Sequence, residues 1–265
     1  MRWRGGISIG GAALAAAGGA RAVVRAAVDI VAPPLTLDGS GRGRALTGGL
    51  SPEAWSRIRF LEAPVCDGCG APQPYDPGVG VRCEACLARP RAFDRARAAM
   101  IYDEASRDLV LKLKRADRTD LAGLFALWVS RAARDLIEDA DAVVPVPLHA
   151  RRLLARRFNQ SAEIARPLAR RAGLAYLPGA IVRRRDTPSQ AGRSAASRRR
   201  NMTAAFAAPR AMWPRIEGRR LILVDDVLTT GATAEACARV LKAAGAARVD
   251  VAAVARVQER APEPI

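Results

Sequence analysis

From Phe93 onward the chain alternates short apolar runs with longer amphipathic stretches, the pattern of strands followed by helices. Residues 96–102 read as a strand and 105–115 as a helix or extended arm. Thr119 can cap a long helix in which Leu121, Leu124, Phe125, Trp128 and Val129 recur at i, i+3, i+4, i+7 and i+8, which predicts one buried stripe. Residues 142–146 form a short apolar strand stopped by Pro145 and Pro147. A second amphipathic helix follows, with Leu154, Phe158, Ser161, Ala165 and Leu168 on one face and arginines over most of the other. Periodicity then fails across 183–201, which is rich in Arg, Ser and Gln and carries Pro188 and Gly192; an irregular insertion of this length is a lid or a disordered segment. The runs 220–224 and 248–257 are apolar throughout and flank a helix at 233–244. Strands apolar on both faces, alternating with helices, predict an α/β fold with a parallel sheet covered on both sides.

Upstream the pattern is weaker. Residues 1–24 are Gly/Ala/Arg-rich, 25–31 allow a helical turn or two before Pro33 and Pro34, and 35–50 read as loop. Arg2, Arg4 and the Ala/Gly stretch resemble a weak signal peptide, but Arg21 and Arg25 follow and strong apolar residues are few, so a cytoplasmic chain is expected. No run of about 18 uncharged apolar residues exists, so no membrane span is expected.

Composition adds one point and charge another. Half of the 265 residues are apolar, which favours a packed core over disorder, collagen or coiled coil. The net charge is +17, and all but three of the 43 basic residues are arginine, a skew that a GC-rich coding sequence yields without selection for any ligand. Placement says more than the total. Residues 149–200 hold fourteen arginines against Glu163 and Asp186, a local net charge of +12 that suits a phosphate-rich partner.

Four cysteines fall into two pairs, Cys66/Cys69 and Cys83/Cys86, within a stretch at 63–90 too short to build its own hydrophobic core. This spacing reads as one tetrahedral Cys₄ Zn²⁺ site rather than disulfides or a redox motif, with Gly68 and Gly70 allowing the turn that aims amides at sulfur. Four thiolates leave no open coordination position, so the zinc is structural. Cys237 reads as a small buried hydrophobe. His149 is the only histidine, and no G-x-S-x-G element supports a triad around it.

The sharpest chemistry lies in 221–233, LILVDDVLTTGAT. Four apolar residues place Asp225 and Asp226 at the carboxyl end of a buried strand, where ligands of open α/β sheets bind. Thr229, Thr230, Gly231, Ala232 and Thr233 form the turn into the next helix, whose amides and hydroxyls make a phosphate cup. A P-loop NTPase strand would look similar, but none of the three lysines stands in a G-x-x-x-x-G-K-[ST] context.

This element resembles the phosphoribosyl-pyrophosphate (PRPP) signature of type I phosphoribosyltransferases. The wider chain resembles the ComF family of late-competence proteins, on CDGCG, CEACL, FDRARAAMIYD, LKLKRADRTDLA, VVPVPLHARRLLARRFNQSAEIA and TPSQAGRSAASRRRN, in that order. The resemblance implies a poorly ordered extension with the remnant of a second zinc site at 1–62, a Cys₄ zinc ribbon at 63–92, and a phosphoribosyltransferase-like domain at 93–259. It assigns the ribose hydroxyls of PRPP to Asp225 and Asp226, named as the catalytic pair, and its 5′-phosphate to residues 229–233. The pyrophosphate falls to Val144, Pro145, Val146, Pro147 and Leu148, with Arg151, Arg152 and Lys114. A catalytic flexible loop falls on Thr187, Ser189, Gln190 and Arg193. Mg²⁺ would accompany PRPP.

Two departures stand out. Ser51 and Ala54 occupy positions where many family members carry a further CxxC pair, and Arg157 stands where the family often has glycine. The implied function is PRPP binding, with possible ribosyl-phosphate transfer, in DNA uptake and competence or nucleotide-linked metabolism. The alternative is a non-catalytic adaptor that contacts single-stranded DNA or a helicase-like competence partner.

Overall fold

The computed structural model describes residues 36, 49–76, 78–114, 120–148, 153–154, 157–184 and 205–258. The chain divides into two compact units, Met1–Ser56 and Arg57–Ile265. In the first, a short helix spans Pro52–Ser56, and the Ala54 amide donates to Ser51 Oγ at 3.1 Å. Ser51 thus caps this short helix. In the second unit, residues 59–61 lie along the edge of the sheet: Leu61 N donates to Ala99 O and Ile101 N to Arg59 O, both at 2.9 Å. Covering an edge strand this way removes a row of unpaired backbone groups.

The main elements of this unit are, in chain order, α1 (Glu84–Ala88), β1 (Ala96–Ile101), α2 (Glu104–Lys114), α3 (Leu121–Ala132), β2 (Ala142–Pro145), α4 (Gln160–Ala172), β3 (Ala175–Tyr176), β4 (Val182–Arg183), β5 (Phe206–Ala207), β6 (Arg220–Leu228), α5 (Ala232–Ala243) and β7 (Arg248–Arg256), with short helical turns at Arg134–Ile137, Arg210–Met212 and Trp213–Ile216. Five strands form one sheet in the order β1-β7-β6-β2-β3, every pairing parallel. Helices α3 and α4 pack on one face, and α5 with the β4/β5 hairpin packs on the other. Alternate strand residues fill the α5 side: Ala96, Ala98, Ala142, Val144, Leu221, Leu223, Val249, Val251 and Ala253 join Cys237, Ala238 and Leu241 in one buried cluster. The expected stripe of α3 is buried as read, with Leu121, Leu124, Phe125, Trp128 and Val129 all inside.

One sequence reading needs correction. The helix expected to include Leu154 and Phe158 begins only at Gln160, because the chain turns at Arg157 in the left-handed region (φ 63°) and Asn159 caps the helix by accepting from the Ser161 amide at 3.1 Å. Leu154 is consequently 81 % exposed. Strand β6 runs past the apolar run 220–224 to Leu228, so Asp225 and Asp226 lie near its carboxyl end, still within the ladder with β7. The two-residue strands β3, β4 and β5 carry too little pattern to show in the sequence.

Candidate functional site

The connection leaving β2 runs through α4 to β3, whereas the one leaving β6 runs through α5 to β7, on the opposite side. Adjacent parallel strands whose connections diverge open a crevice at their carboxyl ends, where open α/β sheets bind ligands. Residues 146–148 and 225–231 meet that crevice.

Asp225 Oδ1 accepts from Ser161 Oγ at 3.1 Å and from the Asp226 amide at 2.9 Å. Asp226 Oδ1 accepts from the Val227 amide at 2.7 Å, while its other oxygen pairs with Lys114 Nζ at 2.9 Å. Burial, then the adjacent Asp226 charge, push the Asp225 carboxyl up to about 7, against the Asp226 amide, the Ser161 hydroxyl and Lys114. The pair therefore offers one carboxylate paired with a cation and one that titrates near neutrality.

Beside them, Val146 N donates to Val224 O at 2.9 Å, and Asn159 Nδ2 donates to Val146 O at 3.0 Å. The cap residue of α4 thus also pins the loop leaving β2. On the other side Gly231, at φ 79°, is the N-cap of α5. An L residue there would be strained, and a Cβ would sit 3.5 Å from Phe93 Cε1. The first turn of α5 is clamped from outside: Glu235, 2 % exposed, pairs with Arg89 at 3.2 Å, Arg91 at 3.1 Å and Arg239 at 2.7 Å. Arg91 Nη1 also donates to Thr230 O at 3.0 Å.

The Sγ atoms of Cys66, Cys69, Cys83 and Cys86 all lie within 4.8 Å of one another. The Cys69–Cys83 separation is 3.8 Å, close to the edge of a tetrahedron with Zn–S bonds of about 2.3 Å. The Cys83 and Cys69 amides aim at Cys66 Sγ from 3.1 and 3.5 Å. Burial pushes the Cys66 thiol up, but those amides, the Cys83 thiol and Gly68 bring it down to about 7. The soft donor set and the converging amides fit a thiolate-bound metal ion. Among the described residues, only Cys66, Cys69, Cys86, Ala71 and Cys83 cluster inside the module, so the sheet carries it: Arg97 bonds Asp67 O and Oδ1 at 3.1 and 3.0 Å, and Arg256 donates to Cys69 O. At Gly70 (φ 69°) a Cβ would come 2.4 Å from Ala96 O, so any larger residue would force the knuckle off β1.

The phosphoribosyl transferase domain family matches residues 130–265. The DNA utilization protein YhgH of Escherichia coli (strain K12) is 34 % identical over 201 residues, covering 74 % of this chain and 86 % of that one. Competence protein F of Haemophilus influenzae is 32 % identical over 201 residues, covering 73 % and 85 %. This chain belongs to the ComF/YhgH family.

Of the residues that the sequence singled out in this ComF-type chain, the structure pairs Lys114 with Asp226, bonds Val146 to Val224 next to Asp225, and places the 229–233 turn just after β6; Val144 and Pro145 are buried in β2, and Pro147 and Leu148 follow it. Arg151, Arg152, His149 and the loop residues Thr187, Ser189, Gln190 and Arg193 lie outside the described residues. Residues at both ends of 185–204 are held together, Arg184 N donating to Ala205 O at 2.7 Å. Sequence reasoning missed the role of Asn159, Ser161 and the Arg89/Arg91/Glu235/Arg239 cluster. Asn159 ahead of QSAEIA is a readable cap, whereas nothing in the sequence pairs Arg91 with Glu235. Among the described residues no helix is long and apolar enough to cross a membrane.

Proposed function

We propose that this ComF-type chain binds PRPP with Mg²⁺ in the crevice between β2 and β6, that its Cys₄ site holds a structural Zn²⁺, and that it serves DNA uptake or use, the roles carried in its relatives' names. The observation that most supports the reading is the convergence of Lys114 and Ser161 on the Asp225/Asp226 pair beside the Gly231 turn. In this reading the two aspartates accept hydrogen bonds from the ribose hydroxyls. The amides and hydroxyls of 229–233 donate to the 5′-phosphate at the N-terminus of α5. Lys114, with Arg151 and Arg152, faces the pyrophosphate, and Thr187, Ser189, Gln190 and Arg193 cover it. Mg²⁺ bound with PRPP would neutralise charge on the departing pyrophosphate, and the hard carboxylate oxygens fit such an ion. Transfer would break the bond from ribose C1 to the pyrophosphate oxygen, which leaves with the electron pair, as an acceptor forms its bond at C1. Calorimetry with PRPP and Mg²⁺ tests binding: the wild type binds and Asp225→Asn/Asp226→Asn does not. A wild type that gives no heat overturns the reading.

A second reading, single-stranded DNA or a helicase-like partner held without catalysis, draws on the cysteine module, where Tyr75 and Leu87 stand 71 % and 69 % exposed. An exposed aromatic suits stacking on bases. Affinity for single-stranded DNA should then fall steeply with salt and fall further in Tyr75→Ala. A flat salt response sinks it.

A further inference from the structure

The segment that leaves the second cysteine pair runs directly onto the turn assigned to the 5′-phosphate. Arg89 is the C-cap of α1, and its guanidinium reaches Glu235 in the first turn of α5. Two residues on, Arg91 is only 15 % exposed and uses a single nitrogen, Nη1, to bridge Thr230 O at 3.0 Å and Glu235 Oε1 at 3.1 Å. Phe93 then closes on Gly231, and Asp94 anchors the far end of α5 through Lys242 at 2.9 Å. The chain from Cys86 to Asp94 therefore straps α5 along its length.

The bond to Thr230 O has a geometric consequence. A trans peptide plane carries its C=O and its N–H in opposite directions, so holding the carbonyl of Thr230 outward turns the amide of Gly231 inward. Gly231 N–H is one of the donors that a phosphate at this turn needs. Arg91 also faces the metal site. Its Nε is buried with no hydrogen-bond partner among the described residues; burial works against its charge, Glu235 favours it most, and Cys86 lies near enough to add to that. A metal-bound thiolate at Cys86 would give that buried N–H an acceptor and hold the guanidinium in place.

We propose that Arg91 is a positioning residue that sets the Thr230–Gly231 peptide plane for phosphate binding, and that its hold depends on the metal-closed cysteine module. The PRPP arm of the test rests on the function proposed above; the exchange arm does not. Hydrogen exchange on the full zinc-loaded chain, without PRPP, is compared for wild type, Arg91→Ala and Arg91→Lys. Loss of one charge-assisted hydrogen bond should raise exchange across 229–235 by about tenfold in both variants, with α3, α4 and β7 unchanged and one zinc per chain retained. PRPP affinity should weaken by a similar factor of about ten. Removing zinc from the wild type with a chelator should produce the same local rise, and should add less than about twofold in Arg91→Ala. Should Arg91→Ala open the whole unit, Arg91→Lys and Glu235→Gln, which keep bulk in place, carry the decision. Exchange across 229–235 within about twofold of wild type in every variant overturns the proposal, as does a chelation effect equal in wild type and variant. A wild type that ignores PRPP overturns the function proposal alone and leaves the exchange result to decide this one.

Discussion

Charging Asp225 costs the fold stability, so removing the charge should stabilise the protein while damaging the site. Its carboxyl titrates near 7 in the folded chain against 3.8 in the unfolded one. A folded-state value above the unfolded value means that the native state binds the proton more tightly. The stability this group contributes is complete below about pH 4 and is lost as pH rises through about 7. About three units at about 1.4 kcal/mol each set a ceiling of about 4 kcal/mol at pH 8. Asp225→Asn keeps an Oδ1 acceptor for Ser161 Oγ and for the Asp226 amide, so those two bonds survive. Allowing roughly half the ceiling for solvent access and relaxation leaves about 2 kcal/mol, which in a unit of this size raises Tm by roughly 4–8 °C. The assay is thermal unfolding by circular dichroism at pH 4.5, 6, 7 and 8, with PRPP calorimetry on the same samples. Expected are a Tm gain that is largest at pH 8 and vanishes toward pH 4.5, and a loss of PRPP affinity. A Tm difference independent of pH, or a variant less stable at pH 8, would refute the argument.

The same titration predicts that PRPP affinity in the wild type rises with pH through about 7 as Asp225 ionises, and that Lys114→Met moves this rise to higher pH by removing a cation that favours the carboxylate. Calorimetry across pH 6–9 checks both, and an unmoved midpoint in Lys114→Met refutes the second. Arg157→Gly should stabilise the chain by about 0.5–1 kcal/mol, because a left-handed φ of 63° strains an arginine and suits glycine; urea unfolding reads it, and a loss of stability contradicts it. Asn159→Ala should cost about 1–2 kcal/mol, since it uncaps α4 and frees Val146 O together, and should weaken PRPP binding as well as lower the urea midpoint. Cys69→Ser should lower zinc content below one per chain by atomic absorption, whereas Cys237→Ser, in a buried cysteine remote from the cluster, should leave it unchanged.

Local pattern carried a great deal here. The 3.6-residue stripe of α3 and the doubly apolar runs of β6 and β7 are set by burial on one face or two, and both signals are legible over a few residues. The Asp-Asp pair, the threonine turn and the two CxxC knuckles are equally local, because each is a short segment whose own backbone aims its groups. Where readings slipped, a tertiary contact had intervened. The start of α4 is decided by Asn159 reaching both the Ser161 amide and Val146 O, and by a left-handed arginine that no propensity favours. Strand β6 outruns its apolar run because the ladder with β7 continues to Leu228 and Arg256.

By itself, then, the sequence determined the parallel α/β class, the two cysteine pairs and the position of the carboxylates, since these follow from spacing and periodicity within single segments. Only the tertiary structure decided which distant residues serve them. It brought Lys114 from the end of α2 to Asp226, Ser161 from the start of α4 to Asp225, and Arg91 from the cysteine module to Thr230 and Glu235. Those pairings join residues 64 to 144 positions apart. Packing creates such meetings when the chain folds back over its sheet, and no local pattern encodes them.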